Sequence, residues 1–229
     1  MLAVALITAC GSGGSASYEQ THSASQILAD ADLATRSTAS YHVSISANAE
    51  SGYAIAEMDI EDTNAAGTLT SNGIVLRMIH VKDQTFMFGA GLGDVIQPSN
   101  PQLAAAVRAK AAGKWVLVPS DIWTAAFRKL LDLRTMSSCL KGAEGMAKKG
   151  TATASGQSVV RLDDKAGSQV YVQTSAPHHF VHLVLSASES CSTDSTAKGE
   201  TIDLLKFGTR FQITAPSGYI DLATLAAGG

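Results

Sequence analysis

The sequence lacks any apolar run long enough for a membrane-spanning helix, which needs about 18 or more consecutive apolar residues. It also lacks a basic excess, since 17 Lys and Arg stand against 20 Asp and Glu, a formal net charge of −3. A nucleic-acid-binding protein needs a basic face, so this balance argues against nucleic acid as a partner. Aromatic residues make up only 6% of the chain, which leaves few bulky side chains to fill the core of a large sheet.

Charge is also missing at the start of the chain, where the first charged residue is Glu19. A short apolar run, Leu2 to Ile7, leads into Ile7-Thr8-Ala9-Cys10, which has the form of a bacterial lipobox. In a lipobox an aliphatic residue and small residues precede the cysteine that is acylated and becomes the new N-terminus. Because a signal peptide begins with a positively charged region, we expect that the chain starts inside a longer signal peptide.

The residues after the cysteine are small and flexible: Gly11-Ser12-Gly13-Gly14-Ser15-Ala16-Ser17. Gly- and Ser-rich segments behave as flexible coils. An N-terminal core strand ending in cysteine is the alternative, but such a strand would not continue into a tether. We therefore predict a signal peptide over residues 1–9, a lipidated Cys10 with its tether over 10–23, one domain over 24–222 and a tail over 223–229. Several acyl chains such as palmitate hold a protein firmly, at ~0.8 kcal/mol per buried methylene.

Only three cysteines are present. With Cys10 acylated, Cys139 and Cys191 remain in an oxidising compartment, where such a pair favours a disulfide. Closing a loop of this length would stabilise the fold by ~4 kcal/mol in the chain-entropy model. Two unrelated buried thiols are the alternative. A metal site is disfavoured, because neither cysteine has a second cysteine within a few residues.

Hydrophobic periodicity predicts a helix followed by a meander of strands. Apolar residues recur at helical spacing from 24 to about 39. Period-two alternation then predicts strands at 41–47, 53–61, 74–81 and 85–88, which are separated by short turns. Strands joined by turns this short are antiparallel neighbours.

A helical block and a second group of strands complete the prediction. The block has helices at 101–112, 122–133 and 137–148 around a strand at 114–118. The later strands are expected at 151–154, 158–162, 169–173, 178–186, 201–206 and 210–214. This order, without βαβ alternation, predicts the α+β class. We prefer one large curved antiparallel sheet, a half-barrel with helices on its concave face, over two half-domains, because the helices are too few to serve two cores.

Three motifs that suggest catalysis or ligand binding are incomplete. Gly89 to Asp94 lacks the spacing and the βαβ unit of a nucleotide loop, so we interpret it as a flexible connection that moves at a cavity mouth. His178, His179 and His182 cannot all point to one side of a strand, which favours a surface or cavity-rim role over metal binding. The Gly-Ser pattern of a hydrolase elbow occurs only in the tether. We therefore expect no enzyme activity, no metal and no cofactor.

Short segments of the second half carry a family likeness. They are Gly156 to Asp164, Val170-Tyr171-Val172, Pro177 to Leu183, Lys206-Phe207-Gly208 and Ala215-Pro216. With the lipobox, the first helix and its Tyr-His-Val strand, they resemble the actinobacterial lipoproteins of the LppX/LprG type over most of residues 24–222. The resemblance rests on pattern more than on invariant residues. It implies a half-barrel similar to the carriers LolA and LolB, with an apolar cavity for acyl chains and no catalytic residues.

The apolar faces of the predicted elements supply the candidate lining of that cavity. Small side chains such as Ala47, Ala54 and Ala125 are frequent there, and open apolar volume with few polar groups is typical of a lipid site. A filled core is the alternative. The candidate lining residues are Val43, Ile45, Ala56, Met58, Leu76, Met78, Phe86, Phe88, Trp123, Ala126, Phe127, Leu130 and Leu131.

Together these features predict a monomeric lipoprotein at the outer face of the cell membrane. It would bind or shuttle lipids or glycolipids in its apolar cavity, while the acyl groups on Cys10 attach it to the membrane. A structural or sensory lipoprotein that acts through a protein partner is the alternative function, and it would have a filled core.

Replacing Cys10 by Ser tests the predicted anchor. Expressed with a complete signal peptide in a lipoprotein-competent host, the wild-type protein should partition into detergent, because its acyl chains enter micelles. The Cys10→Ser variant should be released or misprocessed, whereas Ser12→Ala, a control within the tether, should partition like the wild type. A Cys10→Ser protein that matures normally and stays membrane-bound would contradict the lipobox interpretation.

Overall fold

The computed structural model describes residues 17–49, 52–119, 145–186 and 197–227. Within these ranges the chain forms helices and strands that alternate in groups. The helices are α1 (Tyr18–Thr21), α2 (Ala24–Arg36), α3 (Gly89–Ile96), α4 (Pro101–Ala111) and α5 (Leu222–Ala227). The strands are β1 (Ser40–Ala49), β2 (Gly52–Glu61), β3 (Asn64–Ser71), β4 (Ile74–Val81), β5 (Gln84–Phe88), β6 (Trp115–Val118), β7 (Ala147–Ala154), β8 (Gln157–Asp163), β9 (Gln169–Gln173), β10 (Phe180–Leu185), β11 (Ala197–Leu205) and β12 (Ile220–Asp221).

All twelve strands belong to one sheet, in the order β12-β6-β5-β4-β3-β2-β1-β11-β10-β9-β8-β7. Every neighbouring pair is antiparallel except β12 and β6, which pair in parallel over two residues. Two-residue turns join β2 to β3, β3 to β4 and β4 to β5. Asp62, Asn72 and Lys82 in these turns have positive φ, as tight hairpin turns require. The prediction of an α+β half-barrel built on one large antiparallel sheet is confirmed.

The core lies on one face of this sheet. Helix α2 buries Ile27, Leu28 and Ala31, and it contacts β9 and β10. At its C-terminal end the hydroxyl oxygen of Thr35 accepts a hydrogen bond of 3.2 Å from the backbone N–H of Phe180. Helices α3, α4 and α5 pack near β4 to β6. None of the helices in the described ranges has the length and apolarity to span a membrane.

Strand β3 was absent from the sequence prediction. Its sequence, Asn-Ala-Ala-Gly-Thr-Leu-Thr-Ser, offers Ala65 and Gly67 to the buried side and only one large apolar residue, Leu69. Asn and Gly are depleted in strands, so the segment looks like a turn. Pairing with both β2 and β4 overrides this local preference.

Two other predicted strands and one helix need correction. Residues 210–214 are irregular, because the backbone N–H of Phe211 donates to the Glu61 carboxylate at 2.9 Å rather than to a neighbouring strand. The strand predicted from 178 begins at Phe180, after His178 in a left-handed conformation with φ 67°. Lys148 lies in β7 and not in a helix, and it pairs across the strands with Leu162.

The interpretation of Gly89 to Asp94 as a flexible connection is wrong, since these residues form most of α3. A Cβ atom on Gly89 would overlap the carbonyl oxygen of Ala111 in α4, and one on Gly91 would overlap the carbonyl oxygen of Val75 in β4. The glycines therefore let the backbone of α3 touch the backbones of its two neighbours. This close packing explains the Gly-rich sequence without a phosphate ligand.

Replacing Gly91 by Ala tests this packing. The added methyl group must push α3 away from β4, so the free energy of unfolding should fall by ~1–3 kcal/mol, as for other overpacked sites. Gly113→Ala is the matched control, because a Cβ there meets no atom within 4 Å, and it should leave stability unchanged or slightly raised. Urea unfolding measures both. Equal stability of the two variants would show that α3 is not packed backbone against backbone.

Candidate functional site

A row of apolar side chains crosses eight neighbouring strands on the buried face. Each member lies directly opposite the next one across the strand pair. The row, from β8 to β4, is Leu162, Val170, Leu183, Ile202, Ile45, Ala56, Leu69 and Leu76. Strands lie ~4.8 Å apart, so the row is about 34 Å long. The length of the row is therefore close to the thickness of the hydrocarbon core of a bilayer, which is about 30 Å.

A second row lies beside the first and contains three methionines. It runs from β1 to β6 through Val43, Met58, Gly67, Met78, Met87 and Val116. Methionine is unbranched and flexible, so it adapts to irregular or changing neighbours. Gly67 has no room for a side chain, because a Cβ atom would overlap the Glu57 carbonyl oxygen and crowd the sulfur of Met58.

Six of the predicted lining residues come together on these two rows. All six are buried, and they are Val43, Ile45, Ala56, Met58, Leu76 and Met78. Period-two alternation in β1 and β2 was a sufficient signal for four of them, because each of these two strands has one apolar face and one mainly polar face. Strand β4 is less distinct, since its other face carries Val75 and Ile79 beside Arg77.

Phe86 and Phe88 lie on the opposite face of the sheet. Met87 pairs with Met78, whereas Phe86 pairs with Ile79 and with Leu117. Directly paired residues share a face, so the two phenylalanines are separated from the methionine row. The run Phe86-Met87-Phe88 is apolar on both sides, and alternation alone could not select the buried one.

The other predicted site residues lie outside the described residues. They are Cys10, Trp123, Ala126, Phe127, Leu130, Leu131, Cys139 and Cys191. The lipidation, the disulfide and the lining helix therefore stay predictions.

Besides Leu69, four residues of the first row were missed by the sequence analysis. They are Leu162, Val170, Leu183 and Ile202, which belong to the second half of the chain. Their strands show the same alternation as β1 and β2. What the sequence does not show is that β11 pairs with β1, which joins the two halves into one continuous face.

Helix α1, which lies within the segment predicted as the tether over residues 10–23, is fixed to the sheet. The ammonium group of Lys148 donates to the carbonyl oxygens of Glu19 at 2.6 Å and His22 at 2.8 Å. The hydroxyl of Tyr18 donates to the Asp30 carboxylate at 2.9 Å. Burial raises the pKa of Tyr18, and the bond to Asp30 raises it further. Helix α1 is thus held by contacts to both β7 and α2.

The three clustered histidines go to three different partners. The ring of His178 stacks on Tyr18 at 3.8 Å between centroids. His179 is buried, its Nε2 lies 2.8 Å from the Thr38 hydroxyl, and its ring stacks on Phe207 at 3.9 Å. His182 has its Nδ1 2.7 Å from a carboxylate oxygen of Asp203. Within the described ranges, no group of metal-ligating side chains could hold an ion.

Lowering the pH from 7 to 5 should destabilise the protein in part through His179. Burial lowers the pKa of His179 from its ordinary value, and the charge of His178 lowers it further. The unfolded state then binds more protons, so stability is lost as the pH falls through the unfolded pKa of about 6.5. His179→Gln should lose less stability than the wild type over this interval. Thermal midpoints at both pH values measure it, and equal losses would contradict the assignment.

Comparison with known proteins identifies the fold. No protein-family model matches the chain, and no curated protein does. The crystal structure of LprF from Mycobacterium bovis matches with a TM-score of 0.51 and 15% identity, over 85% of this chain and 97% of that one. The LolA superfamily protein NE2245 from Nitrosomonas europaea matches with a TM-score of 0.29 and 9% identity, over 85% and 98%, a score too low for a conclusion. The chain therefore has the fold of LprF, and the resemblance to LppX/LprG-type lipoproteins holds at the level of the fold.

Proposed function

We propose that the protein binds or shuttles lipids in an apolar space beside the buried face of its sheet. The observation that carries this proposal is the first apolar row, eight side chains long and without a polar member. Such a row can hold acyl chains anywhere along its length, because apolar contact is not directional. The resemblance to lipid-carrying lipoproteins supports the same function.

The proposed mechanism is partition without chemistry. Each methylene moved out of water contributes ~0.8 kcal/mol, so an acyl chain of about a dozen carbons gains enough to be held once its headgroup is accommodated. The flexible side chains of Met58, Met78 and Met87 adapt to whichever acyl chain is bound. We place the protein at the outer face of the cell membrane, attached through Cys10, where its ligand is abundant.

Extraction of the purified protein with organic solvent tests whether lipid is bound. The unacylated Cys10→Ser variant should be used, so that the anchor's own acyl groups do not contribute. We expect mass spectrometry to find a stoichiometric lipid species, and we expect the apolar space to refill when delipidated protein meets vesicles. Absence of any co-purified or rebound lipid would favour the alternative of a filled core and a protein partner.

A tryptophan at position 56 distinguishes an open space from a filled core. In a close-packed core Ala56→Trp should cost ~1–3 kcal/mol through overpacking. Beside an open space the same change should leave stability nearly intact while it lowers the lipid occupancy. We expect the second result, because Ala56 lies in the first row between Ile45 and Leu69.

Two alanines of α4 calibrate that measurement. Ala104 is fully buried between helices, and Ala105 is exposed. Ala104→Trp should show the full cost of overpacking, and Ala105→Trp should show none. If Ala56→Trp behaves like Ala104→Trp and the wild type carries no lipid, the carrier function is excluded. Lipid occupancy is measured by mass spectrometry and stability by urea unfolding.

A further inference from the structure

The outer face of β4 to β6, opposite the apolar rows, carries an aromatic and aliphatic patch around one arginine. Its two innermost pairs are Phe88 opposite Trp115 and Phe86 opposite Leu117. Val75 and Tyr219 at its margin are 53% and 42% exposed, and the Tyr219 ring stands edge-on to Phe86 at 5.0 Å. In the described ranges Leu33 is the one other large apolar residue with comparable exposure. Exposed apolar surface is thus concentrated here. We define the outer patch as Val75, Arg77, Phe88, Trp115 and Tyr219.

Arg77 rests on the aromatic rings of the patch. Its guanidinium carbon lies 4.8 Å from the Phe88 centroid and 5.4 Å from the Trp115 centroid. Among the residues that the structure describes, no carboxylate forms an ion pair with it. A guanidinium has five donors in a planar fork that matches phosphate and carboxylate oxygens. The rings orient this fork while its donors stay available.

A second arginine on the same face shows the contrast. One cross-strand line runs from Arg77 through Thr68, Glu57, Ser44, Asp203, His182 and Tyr171 to Arg161. Arg161 also lies over a ring, that of Tyr171 at 5.9 Å. Its guanidinium, however, donates two bonds to Asp163, at 2.7 and 2.8 Å. The line therefore has a neutralised arginine at one end and an unneutralised one at the other.

The charges within and next to the outer patch are mainly positive, with one exposed carboxylate, that of Asp221, at its edge. Lys114 is exposed next to Trp115. The nearest acid on the cross-strand line, Glu57, is two strands from Arg77, and it already accepts from Ser44 at 2.6 Å and lies 3.1 Å from His42. Asp221 at the edge accepts from the backbone N–H of Ala223 in α5. The patch itself thus carries only positive charge.

We propose that the outer patch docks on a membrane surface that contains anionic phosphate headgroups. Trp and Tyr side chains are enriched at the headgroup level of bilayers because one end of each ring system is apolar and the other polar. Arg77 would bind a headgroup phosphate through its fork, while Val75 and the rings enter the interface. The patch has few exposed apolar residues for a stable protein interface, which buries about 800 Å² on each partner. This inference does not depend on what the inner apolar rows hold.

Vesicle binding of the unacylated Cys10→Ser protein tests the proposal without the anchor. Sedimentation with phosphatidylglycerol/phosphatidylcholine vesicles should pellet more protein than phosphatidylcholine vesicles alone, and salt should weaken the difference. Arg77→Gln should lower the partition coefficient about fivefold, which corresponds to one basic residue near an anionic surface. Val75→Ser, at an exposed site where folding is not at stake, should lower it as well.

Arg161→Gln is the matched control, since it removes the same charge from the same face. It should leave binding unchanged, because its guanidinium is already paired. Equal losses in the two arginine variants would overturn the proposal and indicate a general charge effect. Equal binding to both vesicle types would also overturn the proposal. A dimer that Val75→Ser dissociates would overturn it as well, because the patch would then be an interface between copies of the chain.

Fluorescence locates the contact. The chain has two tryptophans, so Trp123→Phe leaves Trp115 as the only indole. Its emission should shift to the blue when anionic vesicles are added, because the indole enters a less polar layer. Binding without any shift would place the contact elsewhere on the protein and overturn the proposal.

Discussion

The pairing of β1 with β11 is the contact on which the rest of the sheet depends. It joins the meander of β1 to β6 to the later group of β7 to β11, across more than half of the chain. In this register Val43 lies opposite Leu204 and Ile45 opposite Ile202. A slip of β1 by one residue would place His42 and the other polar side chains of its outer face on the apolar side of the sheet. One correct alignment therefore creates the continuous inner surface, and no local segment could create it alone.

Polar side chains of the outer face favour the alignment of the adjoining strand pairs, β1 with β2 and β10 with β11. His42 lies 2.7 Å from Asp59, and His182 lies 2.7 Å from Asp203, each across a strand pair. Partly exposed ion pairs contribute little stability, typically 0–1 kcal/mol. Their value lies in specificity, because a shifted register separates these partners while it also exposes apolar residues. The two faces thus act together, the inner one through burial and the outer one through charge.

Sequence patterns predicted this fold where one strand contains a complete signal. The alternation of β1 and β2 identified Val43 and Met58 on one face. The patterns failed where the deciding contact is distant in sequence or lies in the backbone. Gly67 is acceptable in β3 only because two neighbouring strands hold it, and Gly91 in α3 is required by a carbonyl group of β4. Phe86 shows a third limit of the sequence prediction. It is fully buried but lies on the outer face, so burial and apolarity do not by themselves place a residue on the inner rows.

In the proposed anchored state, the contacts of Lys148 and Tyr18 would determine how far the domain can move from the membrane. Helix α1 begins at Tyr18 and is fixed to the sheet, so residues 11–17 would form the whole link to an acylated Cys10. An extended chain spans at most ~3.5 Å per residue, which would limit this link to about 25 Å. A lipid-binding domain held so closely would search for ligand in two dimensions, along the headgroups. It could not carry a lipid across a wide envelope by itself and would pass it to an acceptor that comes to the same surface.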